Sequence, residues 1–266
     1  MQGSEVADAL RLLREGEIRV EGRLVDASNA TLFCAITLDG VDAACVYKPV
    51  AGERPLWDFP DGTLAGREVA AYLVSELTGW GIVPPTVLRD GPFGRGMCQL
   101  WVEAGDADAF VDIVPRGAVA AGWLPVLDAL GGGGRPVTLA HLDDERLRRI
   151  AVLDAVINNA DRKGGHLLPT DEGRIYGVDH GVCFNVENKL RTVLWGWAGQ
   201  RLPAEDVAVL ERVRAQLGEK PVARRLRRLL TEREIERTCG RVDRLLSKRT
   251  FPQPVEGWPA IPWPPF

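Results

Sequence analysis

The hydrophobic period of this chain changes part-way along, and that change constrains the fold more than any other feature. Up to residue 104 the apolar positions mostly alternate. Strand-like runs stand at "EIRVEGRLV", "TLFCAITL" and "AACVYKPV". Short β-branched and aromatic runs of period two read as half-buried strands. A small-residue turn, "DASNAT", joins the first two. After a Pro/Gly-punctuated loop at 50–63, helical spacing of Val69, Tyr72, Leu73 and Leu77 predicts a helix over 64–77. Gly79 and Gly81 stop it. "VPPTVLRD" and "GMCQLWVEAG" then read as a hairpin turning at "DGPFGRG". The expectation is a sheet of about five strands with one helix inserted after the third, preceded by an amphipathic helix over 5–14.

From Asp106 onward the pattern reads as helix. "GGGG" at 131–134 reads as a flexible connection. Asp143 or Asp144 can cap a helix running to about Asn158, with Leu147, Ile150, Ala151, Ile157 and Asp154 on one face. Further helices are expected over 204–217 and, Arg-rich, to about Lys248. The tail "FPQPVEGWPAIPWPPF" should be extended, with its aromatics docked on the body. The pattern as a whole predicts an α+β fold of two lobes, a small sheet-rich lobe over 1–104 and a helical lobe over 105–266.

Composition narrows the function classes. A chain of 266 residues can bury a full core, as one large domain or as two lobes. A net charge of -4 gives no reason to expect nucleic acid as a partner. No apolar run reaches a bilayer-spanning length, and the charged amphipathic N-terminus lacks the core of a signal peptide. Five scattered cysteines without a CxxC pair read as free thiols in a reducing cytoplasm. Three histidines without ligand spacing argue against a structural zinc site.

The chemistry concentrates in "VLDAVINNADRKGGHLLPTDEGRIYGVDHGVCF", residues 152–184. Asp161 leaves the end of a helix on a loop, where a general base must sit to reach an attacking hydroxyl. Asp179 follows a strand-like run and precedes His180-Gly181, with the glycine expected to permit the bend. Eighteen residues separate the two acids. One carboxylate on a loop and a second at a strand end are the layout of phosphoryl transfer, one orienting a hydroxyl and one holding the metal. Upstream, Lys48 ends an apolar strand and Glu68 sits on the following helix. A lone lysine there ordinarily snorkels, and a lone acid near a helix start is ordinarily solvated. Strand lysine followed by helix glutamate is, however, the order in which kinases secure nucleotide phosphates. Ser28, Asn29 and Thr31 can add donors to phosphate from a tight turn. Arg162 and Lys163 either neutralise phosphate or solvate the loop. Asp154 reads as a loop organiser accepting backbone N–H bonds, because an unpaired buried carboxylate is costly.

Taken together, "ASNAT", "VYKP", "GREVAAYLVSELTGWGIVPPTVL", "DAVINNADRKGGH" and "VDHG" resemble the atypical kinases of the phosphatidylinositol 3/4-kinase superfamily. The nearest-looking branches are type II phosphatidylinositol 4-kinase, actin-fragmin kinase and bacterial HipA. The whole chain also resembles an actinobacterial kinase-like family. The resemblance covers roughly residues 20–185 and implies a two-lobed protein-kinase-like fold with ATP between the lobes and Mg²⁺ or Mn²⁺ as cofactor. It implies Asp161 as catalytic aspartate, Asp179 as metal ligand, Lys48 on phosphate, Glu68 orienting Lys48, and the strand Gln99, Leu100, Trp101 and Val102 against adenine. His166 stands where the family has a metal-binding Asn. Three outcomes are open: it binds a metal such as Mn²⁺, it contacts phosphate, or it leaves one metal site. The acceptor is expected to be a hydroxyl of a protein or small molecule rather than a lipid. Two rival classes are a nucleotide-binding pseudokinase scaffold and a nucleotidyl transferase on the same fold.

Overall fold

A computed structural model describes residues 3–24, 29–105 and 110–266. Helix α1, Gly3–Glu15, leads into strands β1 (Glu17–Arg23), β2 (Leu32–Leu38) and β3 (Val41–Pro49). Helix α2, Leu64–Thr78, follows, and then the hairpin β4 (Thr86–Gly91) and β5 (Gly94–Leu100). These strands form one antiparallel sheet in the order β1-β2-β3-β5-β4. The register pairs Cys34 with Cys45 and Lys48 with Met97. Alternation places Leu12 and Leu13 of α1 against Cys34, Ile36, Cys45, Tyr47, Val87 and Cys98 in a small core.

Helix α2 is fixed at both ends by local chemistry. The Thr63 hydroxyl accepts from Gly66 N, and the Glu53 carboxylate accepts from Leu64 N and Ala65 N. Those groups satisfy donors that the first helical turn leaves open. Gly79 closes the other end at φ 72, a conformation that glycine adopts without a Cβ penalty. α2 packs on both sides: Ala65 and Val69 meet Met97 of the sheet, while Ala70, Ala71 and Val74 join the main core.

The stretch over 111–142, expected to be helical, is instead a second antiparallel sheet. Strands β6 (Val111–Pro115), β7 (Trp123–Leu130) and β8 (Pro136–Leu142) run in the order β6-β8-β7. "WLPVLDAL" and "PVTLAHL" carry helix-forming Leu and Ala, and pairing across the glycine turn at 131–134 overrides that propensity. Beyond it the helical reading holds. Asp144 caps α3, Glu145–Ile157, by accepting from Arg146 N. A short hairpin, β9 (Leu167–Pro169) and β10 (Ile175–Gly177), follows. Helices α4 (Ala204–Leu217), α5 (Lys220–Leu226) and α6 (Glu232–Lys248) complete the second lobe, and α6 begins with a capping box of Thr231 and Glu234. The main core joins α2, α3, α4 and α6. The tail carries no helix or strand and docks through backbone bonds, Thr192 N to Ala260 O and Gly164 N to Pro265 O. Among the described residues no helix is long and apolar enough to cross a membrane.

Candidate active site

A cleft of about 430 Å³ lies between the first sheet and the loops after α3 and β10. It gathers eight of the residues that the sequence singled out: Asn29, Thr31, Lys48, Glu68, Asp161, Lys163, His166 and Asp179. Ser28 lies outside the described residues. Gln99, Leu100, Trp101 and Val102 do not line the cleft. Gln99 is buried in the sheet, where its amide donates to Thr86 Oγ1 at 2.8 Å. Leu100 N and Trp101 N donate to Pro85 O and Ala44 O.

At the cleft floor β3 delivers Lys48 and α2 delivers Glu68. Lys48 Nζ lies 2.7 Å from Glu68 Oε1 and 2.9 Å from Asp179 Oδ1. Glu68 is thus a buried partner rather than a solvated helix residue, and its second oxygen accepts from His180 N at 2.9 Å. Burial weakens the Lys48 ammonium, but the Asp179 and Glu68 carboxylates outweigh it and hold the pKa above the usual lysine range. In return the Lys48 charge, against some burial, holds Asp179 well below the usual carboxylate range. Half of the Asp179 side chain remains open to the cleft, so solvent moderates that shift.

Asp179 bends the chain itself. Its φ is 59, while Gly181 does not adopt a positive φ. The expectation that the glycine makes the bend is corrected: aspartate tolerates the left-handed region through local hydrogen bonding, and Gly181 packs beside Leu64 and Glu68. His166, on the 3-10 turn before β9, presents Nε2 3.5 Å from Asp179 Oδ2. Burial chiefly, with the Arg162, Lys163 and Lys48 charges, lowers the His166 pKa to about 4 despite Asp179. The ring is therefore neutral near pH 7 and retains a lone pair for a cation.

Asp161 stands on the loop after α3. Asn158 ends that helix at φ 55, and its side chain bonds Asn185 O, Glu187 O and Lys189 N. Asn159 Oδ1 accepts from Asp161 N at 3.0 Å and thereby fixes the backbone from which the carboxylate projects. Burial raises the Asp161 pKa, the Asp179 charge adds to the rise, and Lys163, 3.7 Å away, opposes it. A carboxylate raised from its usual range is a better proton acceptor.

Two expectations are corrected behind this loop. Arg162 neither touches the cleft nor solvates the loop. It is completely buried, with Nε and Nη2 each 2.9 Å from an oxygen of Asp154. Asp154 accordingly accepts from the Arg162 and Asn159 side chains rather than from the backbone N–H groups expected of it. Arg162 also donates to Val178 O at 2.9 Å, and His180 Nε2 lies 2.7 Å from its Nη2. Burial, and then Arg162, keeps His180 neutral, far below its usual pKa. His180 had no role that sequence exposed, because its partner is distant in sequence and nothing local marks it. Glu53, which lines the cleft and caps α2, was also missed.

This fold is the two-lobed protein-kinase-like fold. The structure of the golgi casein kinase superposes with a TM-score of 0.57 at 13% identity, covering 93% of this chain and 75% of that one. The Helicobacter pylori proinflammatory kinase CtkA matches at a TM-score of 0.45 and 11% identity over 90% of this chain and 94% of that one. No protein-family profile matches the chain. The chain belongs to the family of protein Rv2133c of Mycobacterium tuberculosis (strain ATCC 25618 / H37Rv), to which it is 50% identical over 268 residues, 97% of this chain and 96% of that one.

Proposed function

We propose that the protein is an ATP- and metal-dependent phosphotransferase whose acceptor is a hydroxyl of a protein or small molecule. One observation carries the reading: a single ammonium, Lys48, is held between Glu68 and Asp179 in a cleft that Asp161 also lines. Lys48 would secure the nucleotide phosphates as a point charge, with Glu68 fixing its direction. Asp161 would orient the acceptor hydroxyl and take its proton, while the buried loop behind it holds the carboxylate still. Asn29, Thr31 and Ser28 would face the phosphates. Contacts of Gln99, Leu100, Trp101 and Val102 with adenine belong to the same proposal, but the Gln99 amide is engaged with Thr86 and the Leu100 and Trp101 N–H groups with Pro85 O and Ala44 O, so they would use only the groups these bonds leave free.

The donor set fits a divalent cation. One carboxylate oxygen and one neutral imidazole nitrogen, on Asp179 and His166, face each other. Among the described residues no group of three or more His, Cys, Asp or Glu side chains is placed to hold a metal ion. Such a pair suits a cation completed by phosphate oxygens and water rather than a closed protein cage. Mg²⁺ or Mn²⁺ bound there would neutralise charge on the transferring phosphates.

The same proposal includes the phosphatidylinositol 3/4-kinase-like branch, supported by the spacing of "DAVINNADRKGGH" and "VDHG". It includes a lobe boundary near residue 104, between the ends of β5 and β6. It also includes a cytoplasmic location, supported by five cysteines that are all free. Incubation with γ-labelled and, separately, α-labelled ATP in Mg²⁺ or Mn²⁺ tests the activity. Label leaving only the γ position supports phosphoryl transfer. Label transferred from the α position overturns it in favour of nucleotidyl transfer. ATP binding without transfer to any acceptor leaves a scaffold, and absence of ATP binding removes all three readings.

A further inference from the structure

One face of α6 carries four arginines, Arg233, Arg237, Arg241 and Arg244, at spacings of three and four residues. Together with residues 186–188 they line an open groove of about 510 Å³. Like charges at that spacing repel one another along a helix. Some helix arginines elsewhere are answered by acids, Arg148 by Glu205 and Asp206 and Arg214 by Asp243, while Arg212, Arg224 and Arg225 stand singly or in a pair without an ion pair to one among the described residues. Arg233, Arg237 and Arg244 have no such partner among the described residues. Of the residues lining the groove, Glu187 alone is acidic, and it lies 4.0 Å from Lys189. Burial first, and then the Arg244 and Arg237 charges, lower the Arg241 pKa to about 10 against the pull of Cys183. The groove is therefore a site of positive potential on a chain whose net charge is -4.

A second observation points to the same face. Gly240 lines the groove in the middle of α6, and a Cβ there would meet nothing within 4 Å. It has no positive φ. Glycine is the poorest helix former after proline, and neither packing nor backbone conformation calls for it here. Its effect is to keep the groove open between arginines. At its far end the groove continues into an apolar patch of Leu245, Pro252 and Val255.

The floor of this groove is joined to the candidate active site. Arg241 donates to Val156 O and Asn185 O, and Asn158 donates to Asn185 O and Glu187 O. Arg233 to Arg244 covers about 16 Å of helix at ~1.5 Å per residue. An extended segment of about five residues, at ~3.3 Å each, spans that length.

We propose that this groove docks an extended, acidic polypeptide segment of the phosphoacceptor, so that the acceptor of the cleft is a protein. The proposal rests on the phosphotransferase reading for the word acceptor, and on the groove alone for the binding. Its test is fluorescence polarisation of the full chain with a labelled peptide of Asp and Glu that carries one serine. The expected result is binding that weakens as salt rises. Arg233→Glu with Arg237→Glu, both at exposed positions, should weaken it by about tenfold or more. Gly240→Leu, which fills the groove without altering charge, should weaken it as well. Should Gly240→Leu fail to fold, the double reversal decides. Equal binding by wild type and the double reversal, or no binding by wild type, overturns the proposal. Anionic vesicles of phosphatidylserine in phosphatidylcholine binding in the peptide's place, with the same arginine dependence, overturn it too. Peptide binding retained in Asp161→Asn, and in a wild type that transfers no phosphoryl group, supports the docking site while removing the phosphotransferase reading.

Discussion

Two cations near the cleft are tied to carboxylates in different ways. Arg162 is fully buried, and its guanidinium is matched by both oxygens of Asp154, the Val178 carbonyl and the His180 ring. Lys48 is 21% exposed, and it faces two carboxylates, of which Asp179 is half open. The planar fork of arginine suits a closed, directional arrangement, whereas the lysine ammonium is a point charge on a movable stem. The first arrangement is neutral and complete, so nothing can be exchanged. The second carries a surplus negative charge on its open side, so a cation can be added. Structure-building and chemistry are separated here by whether the charges balance.

The largest effect is expected at Arg162. Arg162→Met leaves Asp154 buried without its partner, and the expected loss is about 3–5 kcal/mol of stability. Urea unfolding measures it, and a loss below about 1 kcal/mol would mean that the pair is not what holds the loop. On the open side, Asp161→Asn and Asp179→Asn should leave the fold intact and lower transfer by about 10²–10⁴. The two should differ in calorimetry: Asp179→Asn abolishes metal-dependent nucleotide binding, and Asp161→Asn retains it. Equal binding in the two variants would cancel the roles assigned to them.

A smaller effect sharpens the closed side with a neutral group. His141 is fully buried, Leu142 O lies 2.9 Å from its Nδ1, and Gly196 N donates to its Nε2. Burial chiefly lowers its pKa, against the pull of the Leu142 carbonyl and Asp143. The unfolded chain therefore takes up a proton more readily than the folded one. Stability from His141 is present above about pH 6.5 and is lost as pH falls below it. His141→Gln should flatten that decline in unfolding measurements at stepped pH, and an unchanged slope would clear His141 of any part in it. The smallest effect is expected at the start of α2. Thr63→Ala removes one of two caps and should cost about 0.5–1 kcal/mol, because Glu53 still accepts from Leu64 N and Ala65 N. A larger thermal shift would show that the two caps do not substitute for each other.

What sequence revealed of the site follows the same division. Lys48, Asp161 and Asp179 stand at or just beyond element ends and Glu68 stands early in a helix, and these elements have clear periods, so the cleft's own charges were legible. The packing behind them was not. Arg162 in "NADRKGG" has the look of a solvated loop residue, and only its pairing with Asp154 makes it buried. His180 depends on the same contact. The first sheet was legible because its strands alternate and its hairpin turn is rich in glycine. The second was not, since β7 fully buries none of its residues and half of them favour helix, so its identity comes from β8 across the turn.

The tail has a consequence for how the active loop is held in place. Gly164 has no side chain, and a Cβ there would fall 2.5 Å from the Phe266 ring, while its N–H bonds Pro265 O at 2.8 Å. The loop that carries Asp161 is thus braced from outside by residues about a hundred positions further along, in addition to the Asp154–Arg162 pair and the Asn159 bond that hold it from within. A contact of that sequence separation closes a long stretch of chain and carries a correspondingly large entropic cost.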